Sequence, residues 1–325
     1  MTSRRALLAL AAAGWTSTPR LALAQAQGTR AARVAVLTPG TRVWEGFALA
    51  LRELGYVEGR NLVLDFRHGS YDFQQLRKLA QELVAEKPDV LVAESTPAAL
   101  AAKAVAGTTP IVIVNVSDPA GVGLVESLAR PGGNITGLTD HGVEIATKSV
   151  QLLREMVPSA ARIGVLMADN PLHATQLREI EAAAVPAGLA VVPARAPRES
   201  DLDSAFASLV AQGADALVVL AGVHDGNTER NTRLAGLAAK SKLPAIYELP
   251  YLPAVGGLMS FGPDIPDSRR VAAAYVARIL RGARTSELPV QRPAKFRLVN
   301  NSRTARSLGL QIPQSLLIQA AEIIE

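Results

Sequence analysis

Arg33-Val-Ala-Val-Leu37 is met a second time as Arg162-Ile-Gly-Val-Leu166, 129 residues further on. Working outward, Pro88-Asp-Val-Leu-Val92 returns as Ala214-Asp-Ala-Leu-Val218, its aspartate displaced by 126, and Pro110-Ile-Val-Ile-Val114 returns more loosely as Pro244-Ala-Ile-Tyr247, displaced by 134. Each copy reads strand, helix, strand, helix, strand. The period is far longer than the roughly 20–50 residues of a solenoid repeat. It predicts two similar α/β lobes, each with a parallel sheet and right-handed crossovers.

The 325 residues suit two domains of about 100–150 residues. Nearly half are apolar but only 4% aromatic, so Ala, Val and Leu must build the core, as parallel sheets covered by helices allow. Met1-Thr-Ser-Arg-Arg5, the apolar run 6–13 and Ala22-Leu23-Ala24 read as the three regions of a signal peptide cleaved after Ala24. The run is shorter than the ~20 residues of a membrane span. Ser3-Arg4-Arg5 also fits a twin-arginine export signal. A periplasmic protein is therefore expected, with 25–32 as a tether. Of the formal net charge of +5, Arg4, Arg5 and Arg20 belong to the signal, leaving about +2, which removes the case for a nucleic-acid partner. The chain has no cysteine, which excludes disulfides, thiolate metal sites, a thiol nucleophile and a lipid-anchor cysteine.

The expected first lobe is 33–139 with about 256–288 added, and the second is 140–250 with about 295–325 added. The first lobe's strands are 34–37, 62–66, 90–93 and 111–114, with 134–138 leaving it. Its helices are 44–54, 73–85 behind an Asp72 cap, and one opened by Thr96 and Pro97. The second lobe repeats the scheme from a helix near 145–156 to the strand 245–247. Residues 256–261 and 295–299 read as second and third crossings, around a helix 269–280 that packs on the first lobe. Helices are expected around 302–308 and 314–324. Three crossings make a hinge.

In open parallel sheets, ligands bind beyond the carboxyl ends of the strands. Those ends supply Thr38, Ser95, Thr96, Asn115, Ser117 and Asp118 from the first lobe, with Pro39, Gly40 and Glu94 beside them. The second lobe supplies Asp169, Asn170, His224, Asp225, Tyr247 and Glu248. Trp44 is an aromatic placed to stack on a ligand or to fill the core. Thr96 is equally a helix cap and Asp118, before Pro119, equally a turn residue. With Arg42 as one of few bases, the acids suit a ligand carrying an amine: its ammonium near Asp118 or Glu248, its carboxylate at the helix after Ser95-Thr96. No Gly-x-Gly-x-x-Gly, phosphate loop, Gly-x-Ser-x-Gly or His-x-x-x-His occurs, so no enzyme, cofactor or metal site is expected.

Six further stretches carry a resemblance: Leu51-Arg-Glu-Leu-Gly-Tyr-Val-Glu-Gly-Arg-Asn61, Thr96-Pro-Ala-Ala99, Asn115-Val-Ser-Asp-Pro119, Ser127-Leu-Ala-Arg-Pro-Gly-Gly-Asn134, Gly256-Gly-Leu-Met-Ser-Phe-Gly262 and Leu308-Gly-Leu-Gln-Ile-Pro313. Together, across 33–325, the chain resembles ABC-transporter substrate-binding proteins of the family that includes binders of tryptophan and other aromatic amino acids. The resemblance implies the type I periplasmic-binding fold, capture of a small organic solute such as an amino acid or aromatic compound, and delivery to a membrane permease by a monomer without catalytic activity. In this sequence Ser95 stands where the family commonly has glycine, and the loop 38–43 is shorter than usual. A ligand sensor that presents its closed form to a receptor needs the same closure and is the alternative. A transcription-factor effector domain would need a DNA-binding helix pair where the signal peptide stands.

Overall fold

The computed structural model describes residues 30–40, 44–69, 72–223 and 228–325. The expected signal peptide and most of the expected tether lie outside the described residues, while Ala31–Glu325 form a single contact unit. Within it are two sheets. The first uses β1 (Ala32–Thr38), β2 (Leu62–His68), β3 (Val90–Glu94), β4 (Ile111–Val116) and β5 (Ile135–Thr139), all parallel, in the order β2-β1-β3-β4-β5. The second contains β6 (Arg162–Met167), β7 (Ala190–Arg195), β8 (Ala216–Val219), β9 (Ala245–Tyr247), β10 (Met259–Pro263), β11 (Phe296–Asn301) and β12 (Glu322–Ile324). Its order is β12-β11-β10-β9-β8-β6-β7, parallel except where β10 meets β11.

The strands are near-continuous apolar runs because helices cover both faces of each sheet. On the first sheet, α2 (Phe73–Ala85) and α3 (Thr96–Lys103) lie on one side, with Leu76, Ala80 and Leu83 buried against Leu37, Leu91 and Ile113. α1 (Glu45–Glu53) and α8 (Ile265–Leu280) cover the other, packing Phe47, Leu51, Ala273 and Val276 on Val36, Val92 and Val114. The second sheet is covered on one side by α4 (Gly142–Met156), α5 (His173–Ala184), α9 (Ser302–Ser307) and α10 (Gln314–Gln319), and on the other by α6 (Leu202–Ala211) and α7 (Thr228–Lys240). Asp72 caps α2 by accepting from the Gln75 amide, as its position before the apolar stripe suggests.

Four expectations give way, two to strand pairing and two to helix capping. β10 hydrogen-bonds to β9 and β11, so the segment from 256 stays with the second sheet and the chain crosses back at 263–265. The helix expected from Arg269 starts one turn earlier, at Ile265, because Asp264 caps it by accepting from Asp267 N at 3.0 Å. The expected helix 314–324 ends at Gln319, and Glu322–Ile324 instead adds a parallel strand beside β11. The cap of α3 is Ser95, while the Thr96 hydroxyl accepts from Ser117 N at 3.1 Å and ties β3's end to that of β4.

Candidate functional site

A cleft of about 800 Å³, part of it open to solvent, lies at the carboxyl ends of the strands of both sheets. On the first-lobe side, Thr38 at the end of β1 donates its hydroxyl to Glu94 Oε2 at 2.8 Å. Glu94, ending β3, is paired with Arg269 of α8, whose Nη2 lies 3.1 and 3.3 Å from its two oxygens. The next residue, Ser95, has φ 82° and ψ 157°, a backbone region populated almost only by glycine. Such strain persists where the surroundings hold it, and here β3 must turn sharply into α3. On β4 the register with β5 shifts between Ile113 and Val116, and Asn115 at the shift takes φ 52°. A bulge re-aims a side chain. Asn115 lines the cleft, and both its amide atoms are buried with no protein partner among the described residues.

The hinge and the second lobe contribute acids. Asp140, in the crossing between β5 and α4, accepts from the Ser117 hydroxyl at 2.7 Å and from Gly142 N at 2.9 Å. Burial nevertheless holds its carboxyl above the ordinary range. Glu248 follows β9 and is 5% exposed. Its Oε2 accepts from Ala221 N at 2.9 Å and its Oε1 from Gln176 Nε2 at 3.2 Å. Burial, with Asp140 adding like-charge repulsion, pushes Glu248 up to about 8. The seat is fixed from behind. His173, which burial keeps neutral, donates Nε2–H to Ala221 O at 2.8 Å and accepts Ala168 N–H at Nδ1. Gly262 of β10 passes so close that a Cβ there would stand 1.9 Å from Glu248 O. Gln176 also donates to Gly142 O at 3.1 Å, linking the Glu248 seat to the crossing that carries Asp140.

Of the residues singled out from sequence, Thr38, Ser95, Thr96, Asn115, Ser117, Asn170 and Glu248 line this cleft, as do Pro39, Gly40 and Glu94. Four do not. Trp44 is 2% exposed in the first-lobe core, edge-on to Phe47 at 5.2 Å, because its apolar body is drawn beneath α8. Asp118 adopts φ 42°, and its carboxylate turns to accept Gly121 N at 2.9 Å beside a separate cavity with His141 and Arg292. Asp169 is exposed and pairs with Arg195. Tyr247 points into the second-lobe core because strand alternation sends it opposite to Glu248. His224, Asp225 and Arg42 lie outside the described residues.

The sequence reading passed over Asp140, Ile145, Leu249, Tyr251, Ile265 and Arg269, all of which line the cleft. Asp264-Ile-Pro-Asp267 was the signal for the earlier helix start that brings Arg269 within a turn of the cleft. Asp140 follows a strand leaving the lobe, and strand-end reasoning extended by one crossing would have reached it.

The sequence profile of the family described as ABC transporter substrate binding protein matches residues 35–324. A tyrosine-binding protein of Clostridioides difficile (strain R20291) is 28% identical over 269 residues, covering 82% of this chain and 76% of that protein. Among solved structures, a conserved domain protein from Vibrio cholerae O1 biovar El Tor strain N16961 is 30% identical with a TM-score of 0.82. The ABC domain from Streptococcus pneumonia in complex with L-Trp is 28% identical, also with a TM-score of 0.82. Both superpositions cover 90% of this chain and all of the other.

Proposed function

Because the chain belongs to the ABC transporter substrate binding protein family, whose members bind solutes and are not enzymes, we propose that it captures an α-amino acid with an aromatic or large apolar side chain. The ligand sits in the interlobe cleft, and the loaded protein delivers it to a membrane permease outside the cytoplasm. The observation that carries this reading is the placement of two desolvated acids, Asp140 and Glu248, in one cleft with the Asn115 amide, which has no partner among the described residues. Burial and mutual repulsion make it unfavourable for both acids to ionise, and an ammonium group between them offsets that cost. Ile145, Leu249, Tyr251 and Ile265 supply an apolar and aromatic lining for a side chain. The relatives that bind tyrosine and L-Trp support the same class. Because hinge crossing and lobes both contribute, only a closed arrangement makes every contact, so ligand favours closure.

Thermal unfolding of the purified protein with L-tyrosine, L-tryptophan, L-leucine, 4-hydroxybenzoate and phenethylamine tests the class. A ligand present at 100 times its dissociation constant stabilises by about 2.7 kcal/mol. Aromatic amino acids are expected to raise the midpoint and 4-hydroxybenzoate, an anion without an amine, is not. A response to the benzoate alone would overturn the reading.

A further inference from the structure

We propose that Arg269 selects the ligand's carboxylate, with Trp44 and Glu94 acting as positioning residues that hold its guanidinium ready. The inference rests on the amino-acid reading of the cleft and names the group that reads the end opposite the ammonium.

Arg269 enters the cleft from α8, an element that reaches the first lobe only after the chain has built most of the second. Its side chain is 12% exposed and constrained on two sides. The guanidinium carbon stands 4.6 Å from the centre of the Trp44 ring, a cation–π distance, and Nη2 is shared between the two oxygens of Glu94. Glu94 is itself steadied by the Thr38 hydroxyl. What this leaves is a planar fork whose rotation is locked and whose Nε–H is buried without a protein partner among the described residues. A charged donor left unmet in a buried position is unfavourable unless something else accepts from it. The fork's geometry matches a carboxylate, which can take two parallel N–H bonds.

The pairing with Glu94 adds a filter. An isolated buried guanidinium would attract any small anion. Here the Arg269–Glu94 pair is neutral overall, and the other carboxyl groups lining the cleft among the described residues are those of Asp140 and Glu248. A simple carboxylic acid gains the fork but meets those acids. A zwitterion gains both, with its carboxylate on the first lobe and its ammonium on the crossing and second lobe. Selectivity for amino acids over plain acids then follows from two separated charges, each supplied by a different part of the chain.

The test titrates the full-length purified protein, and its Arg269→Lys and Trp44→Phe variants, calorimetrically with L-tyrosine, L-tryptophan and their carboxamides. The carboxamides keep the ammonium and side chain and lose only the carboxylate. Wild type is expected to prefer acid over amide. Arg269→Lys keeps the charge but loses the fork, and should weaken the amino acids by about 10- to 100-fold, the span of one hydrogen bond to a charged group. Amide affinity should stay within about threefold, so that the preference collapses. Trp44→Phe should erode the preference partially, since the face beneath the guanidinium is weaker but present. Equal losses for acid and amide in Arg269→Lys, or no loss for either, would overturn the role. If wild type binds neither amino acid, the amino-acid reading itself fails and takes this inference with it. A folded Arg269→Lys with an unchanged unfolding midpoint makes the discrimination readout decisive.

Discussion

In the first sheet the strands run β2-β1-β3-β4-β5, and in the second β7-β6-β8-β9-β10 repeats that order before β11 and β12 extend it. Equivalent strand ends nevertheless carry different chemistry. β3 ends in Glu94, whose charge is cancelled within the first lobe by Arg269, beside hydroxyls of Thr38, Ser95 and Thr96 and the amide of Asn115. β8 ends near Ala221, whose amide is spent on Glu248, and among the described residues neither Glu248 nor Asp140 is paired with an arginine or lysine. A duplicated scaffold thus presents a hydrogen-bonding, charge-balanced face and an acidic, desolvated one. The difference teaches that the repeat fixes where a site can be, while single residues at strand ends and crossings decide what it holds.

The comparison breaks most sharply at the acids. Asp140→Asn and Glu248→Gln should each weaken an amine-bearing ligand by about 2–5 kcal/mol, the range for losing one partner of a buried charge pair. Above about pH 8, where Glu248 is ionised, the same changes should raise the unfolding midpoint of the ligand-free protein, since each removes like-charge repulsion. Calorimetry and thermal unfolding on the two variants check both signs. Losses no larger than those in Thr38→Val would mean the two faces do not differ as described.

Acidity offers a second lever. Burial and the neighbouring Asp140 push Glu248 in the folded protein up to about 8, against an ordinary 4.5. The folded state therefore holds an extra proton between those values, and stability should fall as pH rises from about 5 to 8. An ammonium prefers the carboxylate form, so binding should release a proton over the same window and tighten up to tenfold per pH unit until about pH 8. Glu248→Gln should flatten both dependences. Titrations between pH 5.5 and 8.5 in two buffers of different ionisation enthalpy measure the proton release directly.

The strained turn of the first-lobe face gives a smaller effect. Ser95→Gly should stabilise the fold by about 1 kcal/mol, because relief of a positive-φ conformation outweighs loss of a cap whose bond to Ala98 N is 3.5 Å long. Chemical denaturation reads this out. A destabilised glycine variant would show that the hydroxyl, not the backbone, governs the turn. The smallest effect is expected at Asp118. Its carboxylate serves the Gly121 turn and not the cleft, so Asp118→Asn should leave affinity within about twofold. A loss of tenfold or more would return Asp118 to the site and displace Asp140 from the role argued for it.

Much of this molecule is written locally. Apolar runs of strand length alternating with amphipathic helices, met twice, dictate two mostly parallel sheets, and the rule for the carboxyl ends of such sheets leads to Thr38, Ser95, Thr96, Asn115, Ser117, Asn170 and Glu248. Side-chain direction at a strand end is also local in part: alternation explains why Glu248 reaches the cleft and Tyr247 does not. Tertiary structure alone decided the rest. Arg269 is 175 residues from Glu94, and no periodicity in either segment announces their pairing. Trp44 could serve core or ligand until α8 was laid over it with Arg269 against its face. β10 could join either sheet until β9 and β11 paired with it. Hydrophobic pattern specifies which face of an element is buried, but not which distant element buries it, and charges acquire their meaning only when burial sets them together.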